Sequence, residues 1–451
     1  MNANALLGSL VSLLAVTLCS AQPQPGTVLW TYDVPTSCAP ALASDGTIYV
    51  GDYYGLQAIT NAGSSASIKW AFPATSVSGI SVGLDGVIYL ANGSQYFYAV
   101  NPDGSQKWAY TFEGNGSSQP AIAHDGTIYV VADGNLYALT PAGTKKWSRA
   151  IGGNGGIPAI TANGTIYVRL NEGATNFYAF NSDGSLNWAK SLNSGTFFSY
   201  PNRGISVAIG GEGTVYVGGA GLYALTPEGS QLWYINTNSY AGAVVGSEEA
   251  IYSGGSIYDH LYALQSSGEN KWHIDFPYRC ASRFCWQPQS PAIDDAGTLY
   301  YAASNSIFAI TADGEVQWVV SHPNPGGHPI LDATSPLIGT DGTIYATLTN
   351  RLFAIAGTNS PANSPWPMYQ QNARRTGKVE KPVLLNTERR SDANFQFQLY
   401  WQLGQSNLIE TSTNLTSWTP LTNVVITNVP QDVVDLTTSN SPTRFYRAVA
   451  P

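Results

Sequence analysis

Side chains that could bind a ligand gather in three segments, 189–205, 273–290 and 319–335, that are longer than a connection between strands requires. They carry positive, imidazole, aromatic and carboxylate groups: Arg203, Arg279, Arg283, Trp286, His322, His328 and Asp332. Long loops with mixed charges offer complementary contacts, and their arginines attract anions. We predict a site for a partner or an anionic ligand here; the alternative is a set of ordinary solvated loop residues.

The cysteines indicate a disulfide and not a catalytic or metal-binding centre. Cys280 and Cys285 lie in the second segment, and in an oxidising compartment they are predicted to form a disulfide; two thiols in a loop are the alternative. Cys38 is expected to be a small buried side chain. No His-x-x-x-His pair, paired-cysteine zinc motif, nucleophile elbow or twelve-residue calcium loop occurs, so no metal ligand is predicted.

Residues 1–21 have the features of a cleaved signal peptide, with a mostly apolar run from Leu6 to Leu18 and small residues before Gln22. We therefore predict an exported protein in the periplasm, on the cell surface or outside the cell. No later segment offers the roughly 20 apolar residues of a membrane-spanning helix. The net charge is −9, and the acidic excess of residues 22–365 argues against a nucleic-acid partner, which requires a basic surface.

Eight pairs of an apolar residue and a tyrosine recur along the chain, and most of them follow an Asp-Gly turn or a close relative of it. The pairs end at Tyr49, Tyr89, Tyr129, Tyr167, Tyr216, Tyr252, Tyr300 and Tyr345. Each is followed by a strand of the type Leu136-Tyr137-Ala138-Leu139, and usually by a Gly-x-x-x-Trp motif such as Gly143 to Trp147. With the segment before the turn, every unit contains four short strands, which is the pattern of propeller blades.

One tryptophan per unit marks the fourth strand. These residues are Trp30, Trp70, Trp108, Trp147, Trp188, Trp233, Trp272 and Trp318. Their fixed position favours a structural role, packing between neighbouring sheets, over a row of exposed sugar-binding rings. Trp30 precedes the first unit, and the eighth unit has no tryptophan at this position. Residues 27–33 are therefore predicted to form the outer strand of blade eight and to close the ring.

These motifs resemble the PQQ-like repeat family, the eight-bladed propellers of the quinoprotein alcohol dehydrogenase type, over residues 26–378. The segment from Trp366 to Gly377 is similar to one found beside such repeats. The resemblance implies an all-β, eight-bladed β-propeller of four-stranded antiparallel blades. It implies either a cofactor enzyme or an assembly scaffold, because the family contains both.

The enzymes of this family resemble one another in having two adjacent cysteines, a carboxylate base, and Glu and Asn ligands for calcium. Here Cys280 and Cys285 are five residues apart, and the blades are close to minimal length. We therefore predict no cofactor. The resemblance allows PQQ, but the residues expected at its site are not found.

The chain divides into the signal peptide 1–21, the propeller 22–378 with a closing segment 358–378, and a C-terminal domain 379–451. In the last, alternating strands such as Phe395-Gln396-Phe397 predict a small β-sandwich-like domain, which resembles one found on some secreted bacterial proteins.

The predicted function is that of an exported, non-catalytic scaffold that binds a protein or glycan partner and is a monomer. A PQQ-dependent dehydrogenase with a reduced site is the first alternative, and a polysaccharide-acting propeller is the second. The sequence assigns no catalytic residue.

Overall fold

The computed structural model shows a chain built almost wholly of β-strands, with one 3-10 turn, Ser247–Glu249, in the part that it describes. The described residues are 23–35, 38–114, 116–153, 155–170, 175–193, 207–219, 221–236, 242–254, 260–276, 290–303, 305–322, 333–348, 350–364, 367–372, 376, 383–389, 394–400, 406–413, 417–425, 431–435 and 444–449. No helix in these ranges is long and apolar enough to cross a membrane.

Eight four-stranded antiparallel sheets form in the described residues, which confirms the predicted propeller. Blades one to four comprise β2 (Ala41–Leu42), β3 (Ile48–Gly51), β4 (Gly55–Asn61) and β5 (Ala66–Pro73); β6 (Val77–Val82), β7 (Ile88–Asn92), β8 (Tyr96–Val100) and β9 (Gln106–Thr111); β10 (Ala121–Ile122), β11 (Ile128–Ala132), β12 (Asn135–Leu139) and β13 (Lys145–Ala150); and β14 (Ala159–Ile160), β15 (Ile166–Arg169), β16 (Phe177–Phe180) and β17 (Leu186–Lys190).

Blades five to eight follow the same plan. They comprise β18 (Val207–Ile209), β19 (Val215–Gly218), β20 (Leu222–Leu225) and β21 (Gln231–Ile235); β22 (Ala243–Val245), β23 (Ile251–Gly254), β24 (His260–Leu264) and β25 (Asn270–Asp275); β26 (Ala292–Ile293), β27 (Leu299–Ala303), β28 (Ser306–Ile310) and β29 (Val316–Ser321); and β30 (Leu337–Ile338), β31 (Ile344–Leu348), β32 (Arg351–Ile355) and β1 (Val28–Asp33). The strands of each blade are named A to D in this order. The A strands of neighbouring blades contact one another and line the central channel.

The Asp-Gly-Thr sequence builds the turn between strands A and B. In blade one, Asp45 accepts hydrogen bonds from the backbone N–H and the hydroxyl of Thr47, both at 2.9 Å. Gly46 between them has φ +81°, a left-handed conformation that glycine adopts without strain. The same turn recurs at Asp125 and Asp341.

Neighbouring blades are joined by the strand-D tryptophans. The Nε1–H of Trp108 donates to the carbonyl of Pro141 in the next blade at 2.9 Å. Its ring also covers Gly143, where a Cβ atom would lie 2.6 Å from the indole. Corresponding hydrogen bonds run from Trp70 to Pro102, Trp147 to Ser182, Trp188 to Pro227, Trp233 to Ser266 and Trp272 to Ala312. These tryptophans therefore cover the C–D turn of the blade that follows.

The apolar core lies between the blades. Each strand-B tyrosine packs against the tryptophan of its own blade, as Tyr129 does against Trp147 with ring centroids 5.7 Å apart. Clusters of buried residues then connect successive sheets, for example Phe97 of blade two with Val130 of blade three. Cys38 is buried in the cluster between blades one and two.

Strand β1 closes the ring, as the sequence predicts. It pairs antiparallel with β32, and Trp30 lies opposite Ala354. At this junction Trp30 donates to the side-chain oxygen of Asn61 at 2.8 Å, and Asn61 donates to the hydroxyl of Tyr345 at 2.8 Å. Blades eight and one are therefore joined through a side chain, where the six junctions named above use a backbone carbonyl.

The residues that follow blade eight cross the end of the channel on the side of the A–B turns. We call the described residues 358–364, 367–372 and 376 the strap. In blade seven, Ile293 accepts a hydrogen bond from Ala362 N–H of the strap and donates its own N–H to the carbonyl of Pro367. In blade six, the carbonyl of Val245 accepts from the hydroxyl of Ser364. In blade three, Ile122 N–H donates to the carbonyl of Thr376. Blades three and seven are opposite in a ring of eight, so the strap spans the channel.

The tail forms two three-stranded sheets in its described residues, β33-β34-β37 and β36-β35-β38. Their bounds are β33 (Val383–Arg389), β34 (Phe395–Tyr400), β35 (Ser406–Ser412), β36 (Thr419–Val425), β37 (Gln431–Asp435) and β38 (Phe445–Val449). One apolar cluster draws Phe397 and Val433 from the first sheet and Ile409 from the second. This arrangement confirms a small sandwich-like domain.

Candidate functional site

The propeller has two faces that could carry a site. The loop face holds the B–C turns and the D–A connections, and the turn face holds the A–B and C–D turns. Of the predicted ligand-binding residues, His322 is described: its backbone N–H bonds to Asn305 C=O at 2.9 Å, and its ring meets Phe353 edge-on. The remaining calls lie outside the described residues, namely Arg203, Arg279, Arg283, Trp286, His328 and Asp332, as do Cys280 and Cys285. The loop-face site and the disulfide therefore stay predictions.

Two exposed tyrosines stand at the B–C turn of blade one, on the loop face. Tyr53 is 71% exposed and Tyr54 is 79% exposed. A large aromatic side chain in this position buries little apolar surface within the blade, so folding of the blade does not explain it. Exposed aromatic rings of this kind are typical of binding surfaces.

The backbone beneath these rings is tightly held. The buried carboxylate of Asp52 accepts hydrogen bonds from the N–H groups of Tyr54 and Gly55, at 2.6 and 2.7 Å, and from the side-chain amide of Gln57 at 3.0 Å. The carbonyls of Tyr53 and Tyr54 in turn accept from the connection that follows strand D, at Ser76 N–H and Ala74 N–H respectively. The two rings are therefore presented on a turn fixed from both sides.

A second candidate lies on the turn face, where blades eight and one meet beside the strap. A cavity of about 500 Å³ opens there, lined by the polar residues Asp45, Asn61, Lys69, Asp341, Gln371 and Asn372 and by the apolar residues Leu42, Ile338 and Met368. Lys69 lies 3.4 Å from the carboxylate of Asp45. Burial disfavours the charged carboxylate, but hydrogen bonds from Thr47 and the charge of Lys69 outweigh it and lower the pKa of Asp45.

Asp341 differs from its counterparts in other blades. Lysines preceding the strand-D tryptophan pair with the turn aspartate in blades two and three, at Lys107–Asp85 and Lys146–Asp125. In blade eight, strand D is β1, and Leu29 stands before Trp30. No ion pair of Asp341 occurs among the described residues, so the cavity contains a carboxylate that can bind a cationic group or hydroxyls.

Neither the tyrosine turn nor the cavity was predicted from the sequence. A signal for the first existed, because Asp52-Tyr53-Tyr54-Gly55 places two aromatic residues at a turn where blade two has Gly93-Ser94. The cavity had no such signal, since it depends on how the strap lies across blades eight and one.

Comparison with known proteins agrees with this architecture. The family model of the outer membrane protein assembly factor BamB matches residues 16–156 and 218–366. Among solved structures, BamB from Moraxella catarrhalis is 13% identical, covers 73% of this chain and 99% of that chain, and has a TM-score of 0.57. The C-terminal WD40 domain of Sif2 is 10% identical, with coverage of 74% and 99% and a TM-score of 0.57. No curated protein sequence matches significantly.

At these identities the solved structures show the propeller fold alone. The family model goes further, because it matches both halves of the ring and more than half of the chain. It confirms the resemblance to the PQQ-like repeat propellers. The chain belongs to the family of the outer membrane protein assembly factor BamB.

Proposed function

We propose that the protein is an exported, non-catalytic scaffold that binds a protein partner through the tyrosine turn, Tyr53–Tyr54, on the loop face. Family membership supports an assembly role, because the family takes its description from the outer membrane protein assembly factor BamB. The observation that carries the proposal is the pair of exposed rings on a turn whose backbone is fixed by Asp52.

The physical argument concerns the cost of binding. Association must offset the loss of conformational freedom in side chains and in loops. A turn whose backbone is already fixed loses no further loop freedom on binding. Tyrosine adds a large contact area with few rotatable bonds and a hydroxyl that can bond at the rim of an interface. The exposed ion pair of Asp33 and Arg351 lies at the loop-face end of the adjacent blade eight, where it can serve as a polar rim.

Photo-crosslinking in the native host tests this function. A benzophenone amino acid replaces Tyr54 and, as a matched control, Leu232, which is 55% exposed on the outer strand of blade five. Position 54 is expected to form one predominant protein adduct, identified by mass spectrometry as a component of outer membrane assembly. The double variant Tyr53→Ser, Tyr54→Ser is expected to weaken binding of that protein by about tenfold or more. Equal adducts at positions 54 and 232 would refute the proposed surface.

The enzyme alternative has a direct test. Among the described residues, no group of three or more His, Cys, Asp or Glu side chains is placed to hold a metal ion. Addition of the quinone and calcium to the purified protein is expected to give no stoichiometric chromophore. A stoichiometric, saturable chromophore would favour the dehydrogenase.

A further inference from the structure

Blade four carries an arginine at a position that is small in the other blades. The residue two places after each strand-B tyrosine is Gly51, Ala91, Val131, Arg169, Gly218, Gly254, Ala302 and Thr347, in order from blade one. All of these residues are buried in the structure. A long charged side chain in such a space is not explained by the repeat.

Arg169 is fully buried, and it is the largest side chain with so little exposure among the described residues. Its Nη1–H donates to the carbonyl of Asn176 at 3.2 Å. Among the described residues, its Nε and Nη2 have no hydrogen-bond partner and Arg169 forms no ion pair. Buried charges are ordinarily paired, and the described residues supply no carboxylate partner for this guanidinium.

The two nitrogens without a partner lie on the same edge of the guanidinium plane. That edge presents two parallel N–H groups, the geometry with which arginine binds both oxygens of a carboxylate or phosphate. Nη1, which bonds to Asn176, lies on the other side. The side chain is therefore held by one nitrogen and offers its bidentate edge.

The edge faces the junction between blades four and five, near the loop face. A Cβ atom on Gly219 of blade five would lie 3.4 Å from Nη2 and 2.8 Å from the carbonyl oxygen of Asn193, so Nη2 lies close to the backbone of blade five at a residue without a side chain. Burial lowers the pKa of Arg169 to about 10, and Tyr223 nearby partly opposes this. Such a shift is expected where no carboxylate stabilises the positive charge.

We propose that Nε and Nη2 of Arg169 bind an oxyanion, a carboxylate or a phosphate group, by two parallel charge-assisted hydrogen bonds at the junction of blades four and five. The site is independent of the tyrosine turn on blade one. It requires only an anion with two oxygens on one centre, from a small molecule or from the acidic group of a partner.

Thermal unfolding and calorimetry with inorganic phosphate and with acetate, at constant ionic strength, test the site. The wild-type chain is expected to show a saturable rise in Tm and saturable binding of at least one of the two anions. Arg169→Gln is expected to lose both, and Arg169→Lys, which keeps the charge but not the fork, to bind about tenfold more weakly. The control Arg149→Gln, which removes an exposed arginine, should keep the full response.

Two further outcomes decide the matter if Arg169→Gln fails to fold. Saturable binding by the wild-type chain that is weakened in Arg169→Lys supports the site without the glutamine variant. Glu172 lies three residues along the sequence, and Glu172→Gln tests whether this chain supplies its own carboxylate. Loss of stability in Glu172→Gln equal to that in Arg169→Gln, with no response of the wild type to either anion, would overturn the proposal.

Discussion

The strand-B tyrosines place a hydroxyl group inside every blade junction. Tyr216 is 1% exposed and packs against Trp233 with ring centroids 5.9 Å apart. Burial, and then the charge of Glu249, raises its pKa to about 12, partly opposed by a hydrogen bond with Thr214. Burial likewise raises the pKa of its seven counterparts. Ionisation of these eight phenols is therefore expected to destabilise the fold.

This dependence predicts steep loss of stability in alkali. The ordinary pKa of tyrosine is 10, so above pH 10 the unfolded chain loses protons that Tyr216 in the folded chain retains until about pH 12. The contribution of neutral Tyr216 to the unfolding free energy is fully present below pH 10 and is lost as the pH rises through 12. Tyr216→Phe is expected to make the fall in unfolding free energy over this range shallower by roughly 1.4 kcal/mol per pH unit, measured by urea unfolding.

The matched control is Tyr54→Phe, which removes a hydroxyl from an exposed ring outside the core. It should reproduce the alkaline profile of the wild type. An alkaline profile of Tyr216→Phe as steep as that of the wild type would show that this tyrosine is not part of the effect.

At the scale of the element, the joint between two blades is a tryptophan lying on a glycine. Gly143 has φ +81°, and a Cβ atom there would approach Trp108 to 2.6 Å. Gly63 has nearly the same backbone, φ +82°, but a Cβ atom there would meet nothing within 4 Å. The two glycines thus separate the cost of a left-handed backbone from the cost of disturbing the joint.

Gly143→Ala is expected to destabilise the propeller more than Gly63→Ala does. The shared backbone cost is about 1 kcal/mol, and displacement of Trp108 should add about 1–3 kcal/mol. Urea unfolding of both variants beside the wild type measures the difference. Equal losses would mean that the indole shifts without cost and that the joint contributes little.

At the scale of the whole molecule, stability depends on closure of the ring. A chain that begins at residue 35 lacks β1, so β32 becomes an unpaired edge in blade eight. Compared with a chain that begins at residue 22, it is expected to have a lower Tm and to self-associate through that edge, as seen by calorimetry and light scattering. An unchanged Tm in the shortened chain would contradict closure by β1.

The ring and its closure could be predicted because one tyrosine and one tryptophan recur in each blade, and the surplus of Trp30 at the start of the chain identified the strand that completes blade eight. Contacts between blades other than those of the tryptophans were not predictable in the same way. Arg169 is visible as a departure from the repeat once the blades are aligned, but its surroundings include Gly219 and Tyr223 of blade five, which the repeat alone does not place there. The cavity beside Asp341 likewise depends on strap residues such as Met368 and Gln371, which are distant in sequence from the blade-one residues that they face.

The strap also determines where mechanical load would pass. It is hydrogen-bonded to inner strands of blades seven, six and three, whereas the ring is closed by β1 on β32 at blade eight. Tension on the C-terminal end of the chain is therefore carried first by the strap and by the inner strands to which it is hydrogen-bonded, which lie on both sides of the channel. The hydrogen bonds of the strap are therefore expected to break before the force reaches the non-covalent pairing of β1 with β32 that closes the ring.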